Sequence, residues 1–251
     1  MAESIAGDLR RRILQSTFED GLLPTQETLA AEYAASGPSL REALRILEAE
    51  GLITVRRGKI GGAHVHRPGW TSSAFALAMS LQGQGVTLSD LADSLLDLEP
   101  MCAVACAARA DRLETVIPAL RANLEETEKV IGDGARFTST ARSFHDALVD
   151  HAPNQTTRLL VRSTVAVWSV QEQTWATFMQ SQGHYPPEAE QIAALNAHRK
   201  LVELIEDGDL DSVAAIAGAH LRATQRKVLK EFGERIVDGS SATAVESFRS
   251  W

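Results

Sequence analysis

Residues 40–53 of the chain, LREALRILEAEGLI, decide the fold of its N-terminal region. Apolar residues recur in this stretch at the three- and four-residue spacing of one helix face: Leu40, Ala43, Leu44 and Leu47. Turn-forming residues precede it at 35–39, and Gly51 is placed to end the helix before the apolar run at 52–55. We therefore predict a helix that follows a tight turn and leads directly into a strand.

The residues on either side complete a small winged helix-turn-helix. An amphipathic helix precedes at about 5–14, and a second short helix begins near Thr25, a suitable N-cap. After the strand, a glycine-rich basic tip at 56–62 leads to an alternating return strand at 63–66. The third helix of such a domain can enter a DNA major groove, while the tip can approach phosphates. A winged domain that serves as a protein-interaction scaffold is the alternative.

The distribution of charge favours DNA as the partner of this end of the chain. The net charge is −8, but residues 1–70 hold nine basic and nine acidic residues and are neutral as a whole. Within 36–67, six basic residues stand against three acids. Such an asymmetry is typical of a chain with an interaction module at one end.

From residue 70 onward, the sequence patterns indicate only helices. The fold class that we predict is therefore mainly α. Amphipathic helices are expected at about 72–82, 88–109, 113–131, 136–151, 155–180, 187–206 and 209–236. Short connections between long amphipathic helices predict an antiparallel all-α bundle. The domains expected are a winged head at 1–68, a helical domain at 69–238 and a loose tail at 239–251.

Composition excludes several classes of protein. The longest apolar runs, at 74–79 and 103–108, are far shorter than the ~20 residues of a membrane helix. The N-terminus has no signal-peptide pattern, so we expect a cytoplasmic protein. Cys102 and Cys106 share one apolar helix face, where buried free thiols are expected rather than a disulfide.

Three histidines are placed to meet inside the helical bundle. His198 lies ten residues before Gly208 and His220 lies twelve after it. At ~1.5 Å per residue both lie at a similar depth in an antiparallel pair, about 15 and 18 Å from the turn. His145 interrupts another apolar stripe. Converging imidazoles suit a divalent transition metal such as Zn²⁺ or Ni²⁺; the alternative is three hydrogen-bonded histidines around a metal-free pocket.

Catalytic motifs that can be recognised from sequence are absent: there is no nucleophile elbow, phosphate-binding loop, HExxH or paired CxxC. We therefore expect no enzymatic activity. A metal-dependent enzyme that uses the three histidines is the alternative, although such a site would also need a placed general base.

The run at 40–53, with LPTQ at 23–26 and RGKIGG at 57–62, resembles the GntR family of bacterial repressors. Later segments resemble the FCD ligand-binding domain of its FadR subfamily: LEP at 98–100, AARA at 107–110, FHDAL at 144–148, HRK at 198–200 and HL at 220–221. The resemblance implies a homodimeric transcription factor, expected to be a repressor, whose DNA affinity responds to a small molecule. Relatives often bind small carboxylates, some through a metal. Two-fold symmetry implies a palindromic operator.

The family's DNA contacts carry over only in part. We assign DNA contacts to residues of the recognition helix and the wing: Ser36, Ser39, Arg41, Arg45, Arg57, Gly58 and Lys59. Gly37 stands where the family usually has an arginine after the hydroxyl, and Gln26-Glu27 replace an acid–arginine pair. Because arginine is the commonest reader of guanine, we expect an altered operator sequence.

The family's metal and effector residues also carry over in part. His145, His198 and His220 match its metal ligands, but Ala141 replaces the usual aspartate, which implies a weaker, partly open site. Leu95 and Leu96 occupy the region where many relatives have an effector-binding arginine. Either the effector is less acidic than in those relatives, or its charge is met elsewhere, and the residues considered for it are Arg158, Arg162, Trp168 and Gln171. Trp168, Gln171 and Trp175 share a helix face, although such a stripe is more often core or subunit contact.

Overall fold

The computed structural model describes residues 1–15, 17–18, 20–56 and 62–249, which form two units, Met1–Ser72 and Ser73–Trp251. The first unit contains α1 (Ala2–Leu14), α2 (Gln26–Glu32), α3 (Gly37–Ala49), β1 (Ile53–Arg56) and β2 (Gly62–Val65). The linking helix α4 spans Trp70–Gly83. The second unit continues with α5 (Leu88–Ala107), α6 (Arg112–Glu128), α7 (Gly134–His151), α8 (Gln155–Ser181), α9 (Glu188–Asp207), α10 (Leu210–Phe232) and α11 (Ala242–Arg249).

The first unit is the winged helix-turn-helix expected from the sequence. Thr25 caps α2 by accepting a hydrogen bond from the Thr28 amide, and Ser36 caps α3 in the same way from Ser39. The strands β1 and β2 pair antiparallel, with Ile53 opposite Val65. One core holds the unit together: Ile5, Leu9, Ile13, Leu29, Leu40, Leu44, Leu47 and Ile53. The apolar stripe read from the sequence is thus the buried face of α3.

The second unit is a helical bundle around α5, which packs against α7, α8, α9 and α10. One of its hydrophobic clusters draws residues from several helices: Ala103, Cys106, Val116, Leu120, Phe144, Leu148, Leu201, Ile205 and Val213. Cys102 and Cys106 are buried free thiols, as expected, and burial raises their pKa values to about 11 and 12. Among the described residues, no helix is long and apolar enough to cross a membrane.

The turn between α9 and α10 determines which residues of α10 lie beside which residues of α9. Gly208 adopts a left-handed conformation with a φ of 75°, which a glycine allows at little cost. Asp209 then caps α10 by accepting a hydrogen bond from the Ser212 amide. The two helices pack against each other, so the hairpin predicted around Gly208 is present.

The C-terminal segment differs from the loose tail expected for 239–251. Residues 242–249 form α11, which packs against α8 and buries Ala244 and Phe248. Phe248 lies against Phe75, with 6.1 Å between ring centroids. So short a helix depends on tertiary packing rather than on its own propensity, which is why the sequence signal was weak.

Candidate metal and effector site

The three predicted histidines meet inside the helical unit. His145 comes from α7, His198 from α9 and His220 from α10, and all three are buried. Each offers a ring nitrogen within 4.8 Å of those of the other two. The Nε2 atoms of His145 and His198 lie 3.2 Å apart. The number of residues between each histidine and the α9–α10 turn therefore correctly predicted that His198 and His220 meet.

Glu99 of α5 fixes the orientation of one imidazole. Its Oε2 lies 2.8 Å from Nδ1 of His145, and its Oε1 accepts a hydrogen bond from Arg142. Burial alone would raise the pKa of Glu99, but Arg142 and His145 lower it to about 2. An ionised carboxylate at Nδ1 holds the proton there, which leaves the lone pair of Nε2 directed at the other histidines.

The other two histidines are held in their neutral form. Burial lowers the pKa of His198 well below its ordinary value, and the two neighbouring histidines add to the shift. Burial, together with His145, lowers the pKa of His220 to about 3. Phe144 supports His198 by stacking on it, with 4.1 Å between ring centroids. Neutral imidazole is the form that binds metal ions.

Two nitrogens of the cluster have no hydrogen-bond partner among the described residues: His198 Nδ1 and His220 Nε2. A buried polar atom without a hydrogen-bond partner lowers stability. Hydrogen bonds within the protein therefore do not satisfy all the nitrogens of the three histidines. Three converging imidazoles, one oriented by a carboxylate, are a ligand set suited to a divalent transition metal. The residues present therefore fit such an ion.

The cluster opens into a pocket in the helical unit. Its walls come from α7, α8, α9, α10 and the segment before α9: Phe137, Thr138, Ala141, Arg142, His145, Glu172, Trp175, Tyr185, Pro186, Glu190, Gln191, Ala194, His198, His220, Thr224 and Lys227. Ala141, which replaces a family ligand, is part of this wall.

The four residues considered for the effector do not line this pocket. Arg162 is buried and pairs with Asp146 across the α7–α8 packing, and Arg158 donates a hydrogen bond to the Asp150 carbonyl. Trp168 is fully buried in the same helix. Gln171 exchanges two hydrogen bonds with the backbone of Asp238. A further member of that helix face, Trp175, does line the pocket.

Several pocket residues were not found by sequence reasoning: Arg142, Glu172, Tyr185 and Lys227. A guanidinium is thus present at the pocket, but it comes from α7 rather than from the helix that carries Leu95. Arg142 lies three residues before His145 and Lys227 seven after His220, so each shares a helix face with a histidine. That spacing was the signal that could have identified them.

The predicted DNA contacts lie at the start of α3 and along its exposed face. Ser36 and Ser39 hydroxyl oxygens are 3.0 Å apart at the N-terminus of the helix. Arg41 and Arg45 are exposed, and Arg45 lies 3.6 Å from Glu42. Arg57, Gly58 and Lys59 lie outside the described residues.

Comparisons with known families match both units. Residues 1–63 match the model of bacterial regulatory proteins of the gntR family, and residues 90–223 match the FCD domain. Together these matches extend over the winged head and the bundle that contains the three histidines.

Individual relatives agree with these matches. The chain is 29% identical over 150 residues to a Bacillus subtilis protein described as the uncharacterized HTH-type transcriptional regulator YdhC. The match covers 59% of this chain and 58% of that protein. It is 40% identical over 53 residues to the gluconate operon transcriptional repressor of Bacillus subtilis, covering 21% of this chain and 22% of that one. The matched parts thus span less than two thirds of these relatives. Among solved structures, Streptococcus agalactiae GntR shares the fold, with a TM-score of 0.67 at 20% identity, covering 90% of this chain and all of the other.

Proposed function

The chain belongs to the GntR family of bacterial regulatory proteins and carries an FCD domain, and we propose that it is a homodimeric repressor that a small organic acid releases from DNA. It is a ligand-responsive DNA-binding regulator whose winged head reads DNA and whose helical unit binds the effector. We place its action in the cytoplasm, on a palindromic operator.

The observation that carries this proposal is the buried histidine cluster at the floor of a pocket in the FCD region. His145, His198 and His220 would hold one divalent transition metal ion, with zinc and nickel as the first candidates. When bound, the ion supplies positive charge that attracts an acidic effector. Because Ala141 brings no carboxylate, the protein provides three ligands rather than four, as in metal sites that keep a position for a further ligand.

The charged residues of the pocket support an acidic effector. Arg142 Nε is buried without a hydrogen-bond partner among the described residues, and Arg142 lines the pocket together with Lys227. Guanidinium and ammonium groups are the usual partners of carboxylates. A carboxylate bound beside Arg142 would accept a hydrogen bond from its Nε, which otherwise lacks a partner among the described residues, and would face a metal ion held by the histidines.

The name of one relative supports the sign of regulation. The gluconate operon transcriptional repressor is 40% identical to this chain over 53 residues, and we infer that this chain also represses. In our proposal the effector stabilises a dimer in which the spacing of the two heads no longer matches the two half-sites, a shift in population rather than a blocked surface.

A gel-shift assay with DNA from upstream of the protein's own gene tests this function. We expect a shift that is stronger than on random DNA, weakens with salt, and is reversed by a small carboxylic acid when zinc or nickel is present. Equal affinity for upstream and random DNA, or no response to any acid with or without metal, would contradict the proposal.

A further inference from the structure

The pocket above the histidine cluster divides into a polar floor and an apolar wall. We propose that its effector is a monocarboxylic acid with an apolar, aromatic-sized body, rather than a polyhydroxy acid or a di- or tricarboxylate. This inference rests on the proposed function, since it concerns the acid that the same pocket binds.

The apolar wall is built from aromatic and small side chains. Phe137, Trp175 and Tyr185 line the pocket, together with Ala141, Pro186 and Ala194. The rings of Trp175 and Tyr185 are 6.1 Å apart at 45°. Aromatic rings and methyl groups favour an apolar group, above all another flat ring, because burying it removes its surface from water.

Polar groups of the wall already have partners within the protein. The hydroxyls of Thr138 and Tyr185 lie 2.6 Å apart. Gln191 accepts a hydrogen bond from the Gly132 amide and donates one to the Pro186 carbonyl. Hydroxyl groups of a sugar acid would have to displace these bonds or remain unpaired, and each unpaired group would lower affinity about tenfold.

Thr224 and Lys227, which also line the pocket, likewise have partners within the protein. The Thr224 hydroxyl donates to the carbonyl of Leu221, and Lys227 forms an ion pair with Glu190 at 2.5 Å. Among the described residues that line the pocket, the buried polar atoms without a hydrogen-bond partner are Arg142 Nε, His198 Nδ1, His220 Nε2 and the indole nitrogen of Trp175. One carboxylate group can accept a hydrogen bond from Arg142 and face a metal ion held by the histidines, whereas a second carboxylate would meet the apolar wall.

The inference can be tested by calorimetric titration of the zinc-loaded protein with three acids and one neutral control. We expect phenylacetate to bind at least about tenfold more tightly than gluconate or succinate, and phenylacetamide, which has the ring without the charge, to bind undetectably. Tighter binding of gluconate or succinate than of phenylacetate would overturn the inference and leave the proposed function standing. If no acid binds the zinc-loaded protein, both fail.

A variant of the apolar wall provides an independent readout. Ala141→Asp places a carboxylate in the wall, and we expect it to weaken phenylacetate binding at least about tenfold while zinc binding is kept or tightened. Ser143→Asp adds the same charge to an exposed position of the same helix and is expected to leave phenylacetate binding unchanged. Equal effects of the two substitutions would overturn the assignment of this wall to the effector's apolar body.

Discussion

Glu99 determines which nitrogen of His145 is available to the other histidines. Its carboxylate sits 2.8 Å from Nδ1 of that ring and also pairs with Arg142, so the proton stays at Nδ1 and Nε2 is free to bind. In metal sites, such a carboxylate behind a histidine both orients the ring and increases its basicity. One buried acid on α5 thus prepares a ligand on α7.

Replacing Glu99 by glutamine should weaken Zn²⁺ binding by about 10- to 100-fold, because the ring loses its charged hydrogen-bond acceptor. A titration against a chromophoric chelator measures this change. Glu190→Gln, which removes a carboxylate at the pocket mouth instead, is the matched control and should keep the wild-type affinity.

Because Glu99→Gln also leaves the Arg142 charge buried and unpaired, the variant can lose stability. The double variant Glu99→Gln with Arg142→Met removes that charge, and it should show the same loss of zinc affinity in a stably folded protein. Wild-type zinc affinity in a folded variant lacking Glu99 would rule out its role in positioning His145.

The lowered pKa values of His198 and His220 predict how the stability of the metal-stripped protein depends on pH. In the unfolded chain these histidines take up protons near pH ~6.5, whereas in the folded protein His220 does so only at about 3. Below pH ~6.5 the unfolded state therefore binds more protons than the folded state. As the pH is lowered through this range, the free energy of unfolding should fall by up to about 1.4 kcal/mol per pH unit for each of the two histidines.

Urea unfolding of the chelator-treated protein at several pH values above and below ~6.5 measures this slope. His220→Gln should flatten it between about pH 6.5 and 5, a range that lies above the titration of ordinary carboxylates. A slope that is identical in the variant and the wild type would mean that His220 is not held neutral by burial.

At the scale of elements, strong periodicity and helix caps allowed much of the fold to be predicted. The stripe along α3 and the caps at Thr25 and Ser36 are local signals, and the structure confirms them. The helix α11 was missed because its stability comes from Phe248 packing on Phe75, a contact between distant residues. Local sequence does not contain that information.

Only the part of the candidate site that lies on the α9–α10 hairpin could be predicted from the sequence, because there the distance from the turn determines which residues meet. His198 lies ten residues before Gly208 and His220 lies twelve after it, so helix rise alone places them at a similar depth. The pocket wall depends on how α7, α8 and α9 are rotated about their axes. For that reason Arg162 pairs with an acid on α7, while Arg142, which had not been singled out, lines the pocket.

The recognition helix α3 yields a prediction for DNA binding. Arg41 is exposed near its N-terminus, and its Nη1 atom would lie only 3.2 Å from a β-carbon at Gly37. The missing side chain at Gly37 thus leaves room for the Arg41 guanidinium beside the start of the helix. Arg41→Ala should cost about 1–3 kcal/mol on operator DNA and much less on random DNA.

Fluorescence anisotropy with the two DNA sequences distinguishes a base-reading arginine from a phosphate contact. Arg45→Ala, from the same exposed helix face, provides the comparison, and it should weaken binding to both DNAs by similar amounts and reduce the salt dependence. Equal losses on both sequences for Arg41→Ala would assign it to the phosphate backbone instead.

At the scale of the whole molecule, the chain joins a winged head of a DNA-binding family to a helical unit that, in our proposal, senses an acid. The head contributes the charge that suits DNA, because residues 36–67 are basic within a chain of net charge −8. The helical unit contributes the histidine cluster, the pocket and, in our proposal, the dimer contact. The proposal thus assigns each function to one compact unit, with an effector that shifts the population of dimer states.

The most direct test of this account is the metal content of the protein, since the histidine cluster is the basis of the proposed effector site. The chain should be purified without a histidine tag and without chelator, supplied with Zn²⁺ or Ni²⁺, dialysed and subjected to elemental analysis, with His198→Ala as the control. We predict close to one divalent ion per chain in the wild type, as the cluster of His145, His198 and His220 implies, and a marked loss in the variant. A content far below one ion per chain, equal in both proteins, would contradict the account.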